Sequence, residues 1–463
     1  MRLNYFNFEK IKDQILLTND MGRYLFLTED DFKRTIGREM VPGSDLENRL
    51  IEAGMIIAES ELSFSEKNRY AVQELKGHVL SATSLHIFVV TTACNLDCVY
   101  CQANNGSVCS NLFMDEQTAE KSVDIALSSP ERQLSFEFQG GEPLLNYKII
   151  KHIVEYAEER KGDHEINYNI VTNLTLLEDE MIQFFKDHCF GISTSVDGSD
   201  MLHNKNRRFR DGSGSFEKVK DSVMSLREAD LYVGAIETTT RDSLGLSERI
   251  VETYIELGFE SIFIRPLTPL GKAAKVWNRI GYTPEEFLEF YLNTVDLIID
   301  ANKRGTYLKE DYLAILAGRI QGDYINYMEL RSPCGAGIGQ LAYYSDGNIF
   351  TCDEGRMLFE MGDDSFMLGN VNSSTYESII TNGICRTACA ASILETIPSC
   401  CDCVYQPYCG VCPVINYALQ NDVIEKSPRG YKCRINRGIL NYIFLKYLEN
   451  DERTIDIIRS WCN

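Results

Sequence analysis

The sequence lacks long hydrophobic runs, an excess of basic charge and an apolar start. Its longest apolar stretch, residues 86–93, has the length of a strand and falls far short of the ~18 residues that a membrane span needs, so we expect no membrane partner. Residues 1–4 open no apolar signal segment, and we therefore expect a cytoplasmic protein. The 463 residues contain 46 Lys and Arg against 68 Asp and Glu, a net charge of −22. Such a chain repels nucleic-acid phosphates on average, which favours a peptide or small-molecule partner and no nucleic acid.

Cysteine, in contrast, is abundant, with 16 residues. This content lies below the roughly 8 to 10% of a disulfide-rich scaffold, and disulfides rarely persist in a reducing cytosol. We therefore expect the thiols to be metal ligands or core residues.

Strand-like and helix-like stretches alternate from residue 84 onwards. The strand-like runs are residues 85–90, 134–138, 166–171, 192–196, 232–236 and 261–264. The helix-like stretches between them include residues 115–127, 147–159, 178–188, 216–229 and 246–257. This alternation calls for a parallel sheet with right-handed crossovers. Six repeats predict an α/β fold, a partial (β/α)6 barrel similar to a TIM barrel, with its reactive groups at the carboxyl ends of the strands.

The flanking segments differ from the barrel in composition. Residues 1–80 indicate a small α+β, winged-helix-like recognition module, in which strands at 14–18 and 23–27 enclose a hairpin turn, Thr28 begins one helix and residues 46–53 form another. The predicted domains are this module (1–80), the barrel (81–280), a helical linker (281–330), a cysteine-rich domain (331–440) and a C-terminal helix (441–463).

Three cysteines follow the first barrel strand. Cys94, Cys98 and Cys101 are separated by three and then two residues. Thiols at this spacing can hold one face of a 4Fe–4S cube and leave its fourth iron without a protein ligand. A zinc knuckle is the alternative, but the position at the carboxyl end of a strand favours the cluster.

These residues resemble the signature of the radical S-adenosylmethionine (SAM) superfamily, which has an aromatic residue just before the last thiol, here Tyr100. The resemblance implies that SAM chelates the open iron through its amino and carboxylate groups. One electron from the cluster then cleaves the sulfonium and yields a 5′-deoxyadenosyl radical.

Other SAM-binding positions follow from the same resemblance. Gly140-Gly141-Glu142-Pro143 reads in isolation as a turn, but it matches the motif that binds the SAM ammonium group through backbone oxygens and Glu142. Further positions implied are Thr172 and Asn173 after the third strand, and Ser195 and Asp197 after the fourth.

Four residues in or near these motifs leave alternatives open. Leu174 replaces the usual glycine of the third-strand motif, so a different turn backbone is expected there, and Asp197 could equally be a solvated turn residue. Arg207 resembles the arginine of a His-Asp-x-x-Arg region and would bind the SAM carboxylate; a basic surface loop is the alternative. Arg265, after the sixth strand, would contact a ligand or form a structural ion pair.

The second cysteine set closely resembles the SPASM extension of radical SAM enzymes, which carries auxiliary 4Fe–4S clusters. The resemblance implies an outer cluster on Cys400, Cys403, Cys409 and Cys433, and an inner one on Cys334, Cys352 and Cys412. The gap before Cys412 is two residues instead of the usual three, which puts that ligand in doubt, and Gln340 replaces a fourth inner ligand of some relatives, so an open inner iron is expected. Zinc is again the alternative. Cys385 and Cys389 share a helix face and are expected to be core thiols.

Longer strings resemble one subgroup, the His-Xaa-Ser system radical SAM maturases. They lie at residues 16–27, 84–91, 136–146, 331–339 and 353–358. The resemblance implies a ribosomally made precursor peptide whose leader adds a strand to the N-terminal module, with a flavodoxin or ferredoxin as electron donor. The radical would abstract a side-chain hydrogen, and an auxiliary cluster would remove an electron as a crosslink closes. The alternatives are formylglycine formation, as in anaerobic sulfatase maturation, and a non-catalytic electron carrier or scaffold.

Overall fold

The computed structural model describes residues 2–57, 69–70, 73, 75–103, 111–323 and 327–462. Residues 58–68, which fall in the predicted N-terminal module, lie outside the described residues. Short 3-10 turns span Gly77–Val79, Pro143–Asn146, Met328–Leu330, Leu394–Thr396 and Gln406–Tyr408.

Within residues 2–57, the N-terminal part contains a three-stranded sheet, a two-stranded sheet and two helices. Its strands are β1 (Arg2–Leu3), β2 (Asn7–Ile11), β3 (Gln14–Thr18), β4 (Tyr24–Leu27) and β5 (Ile56–Ile57), and its helices are α1 (Glu29–Gly37) and α2 (Asp45–Glu52). Strands β2, β3 and β4 form an antiparallel sheet in that order, and β1 pairs with β5. The predicted hairpin and helices are confirmed, and Thr28 begins α1 by accepting a hydrogen bond from the Asp31 amide at 3.1 Å.

This small sheet is buried on both faces. On one side Leu17 and Leu27 pack against Leu50 of α2. On the other side Ile11 and Leu16 belong to the main core of the molecule. Because side chains alternate along a strand, every second one points toward the rest of the chain. These side chains pack the N-terminal sheet against the main core.

The central part confirms the partial (β/α)6 barrel. Its strands are β6 (Leu85–Thr91), β7 (Gln133–Gly140), β8 (Glu165–Val171), β9 (Gly191–Ser195), β10 (Val233–Thr238) and β11 (Ser261–Arg265). All neighbouring pairs among them are parallel. The helices are α3 (Glu116–Ala126), α4 (Tyr147–Arg160), α5 (Asp179–Asp187), α6 (Asp200–Asn206), α7 (Phe216–Glu228), α8 (Ser247–Glu256), α9 (Gly271–Lys275), α10 (Trp277–Ile280), α11 (Pro284–Lys303) and α12 (Asp311–Gln321).

The sheet continues beyond the six predicted strands. The added strands are β12 (Lys309–Glu310), β13 (Gln340–Tyr343), β14 (Asn348–Phe350) and β15 (Met367–Asn370). The full order is β12-β11-β10-β9-β8-β7-β6-β13-β14-β15, with β13 parallel to β6. Strands of two to four residues carry too little alternation to be read from the sequence. The segment predicted as a separate cysteine-rich domain thus begins as an extension of the barrel sheet.

The remaining helices complete the C-terminal part. They are α13 (Asp353–Glu360), α14 (Tyr376–Ile380), α15 (Gly383–Ala390), α16 (Pro413–Gln420), α17 (Tyr431–Glu449) and α18 (Glu452–Ser460). The boundary predicted at residue 440 falls inside α17, because that helix runs unbroken from the last cysteine-rich loop into the core. Every helix in the described ranges is too short or too polar to span a membrane.

Glu310 joins the end of the barrel to the helices behind it, and its loss should destabilise the fold. Its carboxylate accepts hydrogen bonds from the Ile264 amide at 3.0 Å, from the Leu313 amide at 2.6 Å and from the Tyr291 hydroxyl. Glu310→Ala leaves two buried N–H groups without a partner, at about 1–3 kcal/mol each. We expect the free energy of unfolding, measured by anaerobic urea titration, to fall by roughly 2–5 kcal/mol.

Glu260→Ala is the matched control, because Glu260 is exposed just before β11. It should change the unfolding free energy by less than about 0.5 kcal/mol. A similarly small change for Glu310→Ala would contradict the structural role of that carboxylate.

Candidate functional site

The carboxyl ends of the barrel strands enclose a cavity of about 730 Å³, called the main chamber below. Strand alternation selects the side chains that point into it. Among those lining the chamber are Ser135, Glu137 and Gln139 on β7, Ser193 and Ser195 on β9, Ile236 and Thr238 on β10, and Phe263 and Arg265 on β11. The chamber lies where the barrel pattern placed the reactive groups.

The structure brings the three thiols of the first cysteine set to this chamber. Cys94, Cys98 and Cys101 all line it, and Arg210 Nε holds the loop by donating to the Cys94 carbonyl at 2.9 Å. Burial raises the pKa of the Cys94 thiol to about 12 and that of Cys98 to about 11. Thiolates are the form that binds iron, so loading a cluster releases protons here.

Two glycines fix the thiol loop against the end of β7. The Gly141 amide donates to the Thr91 carbonyl at 2.9 Å, and the Glu142 amide donates to the Ala93 carbonyl at 2.8 Å. A Cβ on Gly140 would lie 2.2 Å from the Thr91 oxygen, and one on Gly141 would lie 2.3 Å from the Ala93 oxygen. Only glycine allows this approach of the two backbones.

Glu142 lies behind the chamber wall. Its carboxylate accepts hydrogen bonds from the Leu144 amide at 3.0 Å, the Thr172 hydroxyl at 2.6 Å and the Asn173 amide at 2.7 Å. These bonds tie the turn that begins at Pro143 to the turn after β8. The chamber surface itself is formed by Gly140, Gly141, Thr172 and Asn173.

The turn after β8 keeps a left-handed residue although it lacks glycine. Leu174 has φ of 60°, a region that L residues enter at a cost of roughly 1–2 kcal/mol. The Asn173 side chain supports the turn by accepting from the Thr175 amide at 2.9 Å and donating to Asn95 at 3.0 Å. Leu174 thus occupies a conformation that glycine adopts freely, and Asn173 ties it to the thiol loop.

Tyr100, Asp197 and Arg207 form one hydrogen-bonded group beside Cys98. The Tyr100 hydroxyl donates to Asp197 Oδ2 at 2.7 Å, and Arg207 Nη1 donates to the Tyr100 hydroxyl at 2.8 Å. Asp197 is fully buried, so it is not a solvated turn residue. Arg207 lines the chamber with Tyr100 and is not part of a free surface loop. A nucleotide bound in the chamber could therefore contact Arg207 and Tyr100, and Tyr100 would connect it to Asp197.

The inner cysteine set is gathered behind the chamber. Cys334, Cys352 and Cys412 are buried in one cluster with Leu270, so the shortened gap still brings Cys412 to the other two. Cys352 immediately precedes α13, whose residue Glu354 lines the chamber. Gln340 lines the chamber as well.

The outer set lies farther along, at the start of α17. The Cys409 thiol lies close enough to Cys433, Cys403 and Cys400 that the charge of each would raise its pKa. Asn7 of the N-terminal sheet donates from Nδ2 to the carbonyl of Cys403 at 3.1 Å, which fixes this loop from outside.

The remaining cysteines form no further metal site among the described residues. On α15 Cys385 and Cys389 interact with each other, and Cys385 is buried, as expected for core thiols. Cys109 lies outside the described residues. Within the described ranges, no three His, Cys, Asp or Glu side chains are arranged around a single metal ion.

A second cavity of about 70 Å³, the side pocket, adjoins the main chamber. The two cavities share the residues Phe263, Arg265, Tyr327, Glu329 and Glu354. Glu329 forms an ion pair with Lys432, and Arg265 lies 3.9 Å from Glu354. The ion-pair alternative for Arg265 and its ligand-contact alternative are therefore compatible, because this side chain also lines both cavities.

Sequence reasoning found Arg265 but missed the other charged residues of this region. Glu137 is a single charge inside the apolar run of β7, and that interruption was the available signal. Glu329 lies in a short turn, Glu354 at the start of α13 and Lys432 at the start of α17, and only the tertiary fold brings them together.

Residues 88–246 match the Radical SAM superfamily. A cysteine-type anaerobic sulfatase-maturating enzyme of Clostridium perfringens is 25% identical over 303 residues, which cover 64% of this chain and 79% of that enzyme. An uncharacterised protein of Methanocaldococcus jannaschii is 32% identical over 186 residues, which cover 40% of this chain and 63% of that protein. This chain therefore spans less than two thirds of the latter relative.

Two solved structures are similar in fold. The structure of anSMEcpe with bound AdoMet has a TM-score of 0.68 at 22% identity, over 79% of this chain and 98% of that one. Streptococcus suis SuiB bound to precursor peptide SuiA has a TM-score of 0.55 at 15% identity, over 93% of this chain and 99% of that one.

The close approach at Gly141 gives a direct test of the chamber. Gly141→Ala places a methyl group against the Ala93 carbonyl and should push the thiol loop away from β7. We expect SAM to bind the anaerobically reconstituted protein about 10-fold more weakly or worse, as measured by equilibrium dialysis, since small misplacements at such sites have effects of this size. Gly245→Ala is the control, because a Cβ there meets no atom within 4 Å. Equal affinities of both variants would refute the packing argument.

Proposed function

We propose that this chain, a radical SAM enzyme of the maturase type, modifies a ribosomally made precursor peptide and closes a side-chain crosslink in it. The observation that carries this proposal is the main chamber itself. One cavity is lined at once by the three thiols of the first set and by Glu354, two residues after Cys352 of the inner set. A substrate in this chamber would lie between a radical source and an electron acceptor.

The residues present fit a 4Fe–4S cluster and SAM. Cys94, Cys98 and Cys101 offer three thiols to one cavity and leave a fourth iron free for SAM. When bound, these groups supply a 5′-deoxyadenosyl radical that abstracts a hydrogen atom. The exposed backbone of Gly140 and Gly141 would orient the SAM ammonium group, and Arg207 would bind its carboxylate.

The two further thiol sets suit auxiliary 4Fe–4S clusters. The outer set has four thiols and can ligate every iron of one cube; the inner set has three. We propose that they take up the electron released when the crosslink closes, and that a flavodoxin or ferredoxin supplies electrons to the SAM cluster.

The side pocket supports a peptide substrate. Its walls are mostly apolar, and the hydroxyl groups of its three tyrosines already have partners. Tyr312 donates to Asn436 Oδ1 at 2.8 Å, Tyr431 donates to the Leu267 carbonyl at 3.0 Å, and Tyr327 is hydrogen-bonded to Glu329. The pocket therefore presents ring faces to an occupant. A hydrophobic side chain of the peptide would fit there while the neighbouring residue reacts in the main chamber.

The N-terminal sheet supports leader recognition. SuiB, described bound to its precursor peptide, matches 93% of this chain, against 79% for anSMEcpe. Strand β2 forms one edge of the sheet. Its Phe8 is 54% exposed and lies 4.8 Å from the Phe32 ring. A leader could add a strand at this edge and cover Phe8.

Formylglycine formation is the second candidate, and the similarity to the Clostridium perfringens enzyme favours it. It would require the chamber to accept a sulfatase segment that contains Cys or Ser. The N-terminal sheet would bind the leader peptide in the crosslinking proposal, whereas formylglycine formation assigns it no role.

Co-expression with a candidate precursor peptide, sought among short open reading frames near this gene, tests the crosslink. We expect mass spectrometry to show the loss of about two hydrogens from the peptide, since a radical oxidation that forms one bond removes two. Cys94→Ala should abolish the change. An unmodified precursor, together with oxidation of a sulfatase-derived peptide to formylglycine by the same preparation, would decide for the second candidate.

Leader binding gives an independent prediction. Phe8→Asp puts a charge on the exposed edge, and we expect a fluorescent leader peptide to bind at least about 10-fold more weakly by polarisation. Met224→Asp is the control, since Met224 is 50% exposed on α7 of the barrel. Unchanged binding by Phe8→Asp would remove β2 as the docking edge.

A further inference from the structure

Glu137 is a carboxylate of the main chamber that the fold leaves unpaired. Among the described residues, no Lys, Arg or His lies within ion-pair distance of it. Its hydrogen-bond partner is neutral: Gln139 Nε2 donates to Glu137 Oε1. The neighbours Phe136 and Phe138 are fully buried on the opposite face of β7.

The strand register places Glu137 inside the barrel. It lies opposite Ile87 of β6 and Asn169 of β8, neither of which can ionise. It precedes the Gly140-Gly141 turn by three residues and shares the chamber with Cys94, Cys98 and Cys101. A substrate bound in this chamber could therefore contact the carboxylate.

The other carboxylates of the chamber are each held by a cation. Asp353 accepts from Arg356 Nε at 3.0 Å. Glu329 pairs with Lys432, and Glu354 faces Arg265 at 3.9 Å. An adjacent cation favours the ionised carboxylate, although burial and the charges of Glu329 and Asp353 still raise the pKa of Glu354.

The hydroxyl of Tyr100 is not a competing base either, because it already donates to Asp197. The Tyr327 hydroxyl is likewise hydrogen-bonded to Glu329. Among the described carboxylates that line the chamber, Glu137 is thus the one without a cation within ion-pair distance.

Electrostatics support this choice. Burial raises the pKa of Glu137, and the charges of Asp353 and Glu354 on α13 raise it further, while the Gln139 hydrogen bond and Arg265 on β11 oppose them. Arg356 reaches this group only through Gln139, at 3.5 Å. A general base works best when its pKa approaches the operating pH.

We propose that Glu137 is the catalytic base of the crosslinking step, an inference that rests on the proposed function. Once a hydrogen atom has been taken from a peptide C–H group, that carbon would bond to the heteroatom or carbon of a neighbouring X–H group. The Glu137 carboxylate accepts the X–H proton, and an oxidised auxiliary iron–sulfur cluster, when bound, would take up the one electron that balances the step. The peptide thus loses two hydrogens, one as an atom and one as a proton with an electron.

Glu137→Gln in the reconstituted holoenzyme, with the co-encoded precursor, tests the proposal. We expect 5′-deoxyadenosine formation and its uptake of deuterium from labelled peptide to persist, while crosslinked product per 5′-deoxyadenosine falls by about 100-fold, the usual contribution of a general base. Glu137→Asp should restore part of the product. We expect product per 5′-deoxyadenosine to fall at low pH in the unmodified protein, because the Glu137 carboxylate becomes protonated, and we expect this fall to be absent from Glu137→Gln. Glu165→Gln, at the exposed start of β8, should behave as the unmodified protein.

Three results would overturn the role of Glu137. One is an unchanged ratio of product to 5′-deoxyadenosine in Glu137→Gln. Another is a parallel loss of both, which indicates a structural role. The third is a selective loss of product in Glu354→Gln alone. Absence of product from the unmodified protein would instead refute the crosslinking function, so the two failures are distinguishable.

Discussion

The backbone contact between the end of β6 and the Gly140-Gly141 turn determines the geometry of the whole site. Two hydrogen bonds, to the carbonyls of Thr91 and Ala93, hold the thiol loop to the neighbouring strand. Because side chains are excluded there, the loop and the turn are one rigid unit. The carboxylate of Glu142 extends this unit to the next turn, since all its hydrogen bonds go to protein groups. The chamber wall is therefore assembled from backbone, and a cofactor meets a surface that is fixed before it binds.

The wall of the chamber next to the side pocket is formed by charged side chains instead of backbone. There Arg265, Glu329, Glu354 and Lys432 lie partly buried near one another, and each carboxylate faces a cation. Burial disfavours the ionised form of Glu329, yet Lys432 and then Arg265 outweigh it and lower the pKa of this group. Such a network keeps its charges only while every member is present. It separates the main chamber from the side pocket and gives the substrate a polar wall and an apolar recess within a short distance.

The sequence predicted the parts of the molecule that carry a periodic or spaced signal. The six barrel strands and their helices were predicted because each has enough residues to show its period, whereas β12 to β15 were missed because they are too short. The resemblance to the SPASM extension implied an inner set of three thiols, and the structure buries Cys334, Cys352 and Cys412 in one cluster despite the shortened gap before Cys412. The burial of Asp197 and the inward position of Glu137 depend on strand register and tertiary packing, which no local pattern encodes.

The N-terminal sheet touches the outer thiol loop directly. Asn7 caps the carbonyls of Cys401 and Cys403, Thr18 donates to the Val404 carbonyl at 2.6 Å, and Glu9 pairs with Arg437. The positive charge of Arg437 in turn opposes the effect of burial, which raises the pKa of the Cys403 thiol. The N-terminal sheet therefore covers part of the outer thiol loop, so a movement of strand β2 would also change the surroundings of Cys401 and Cys403.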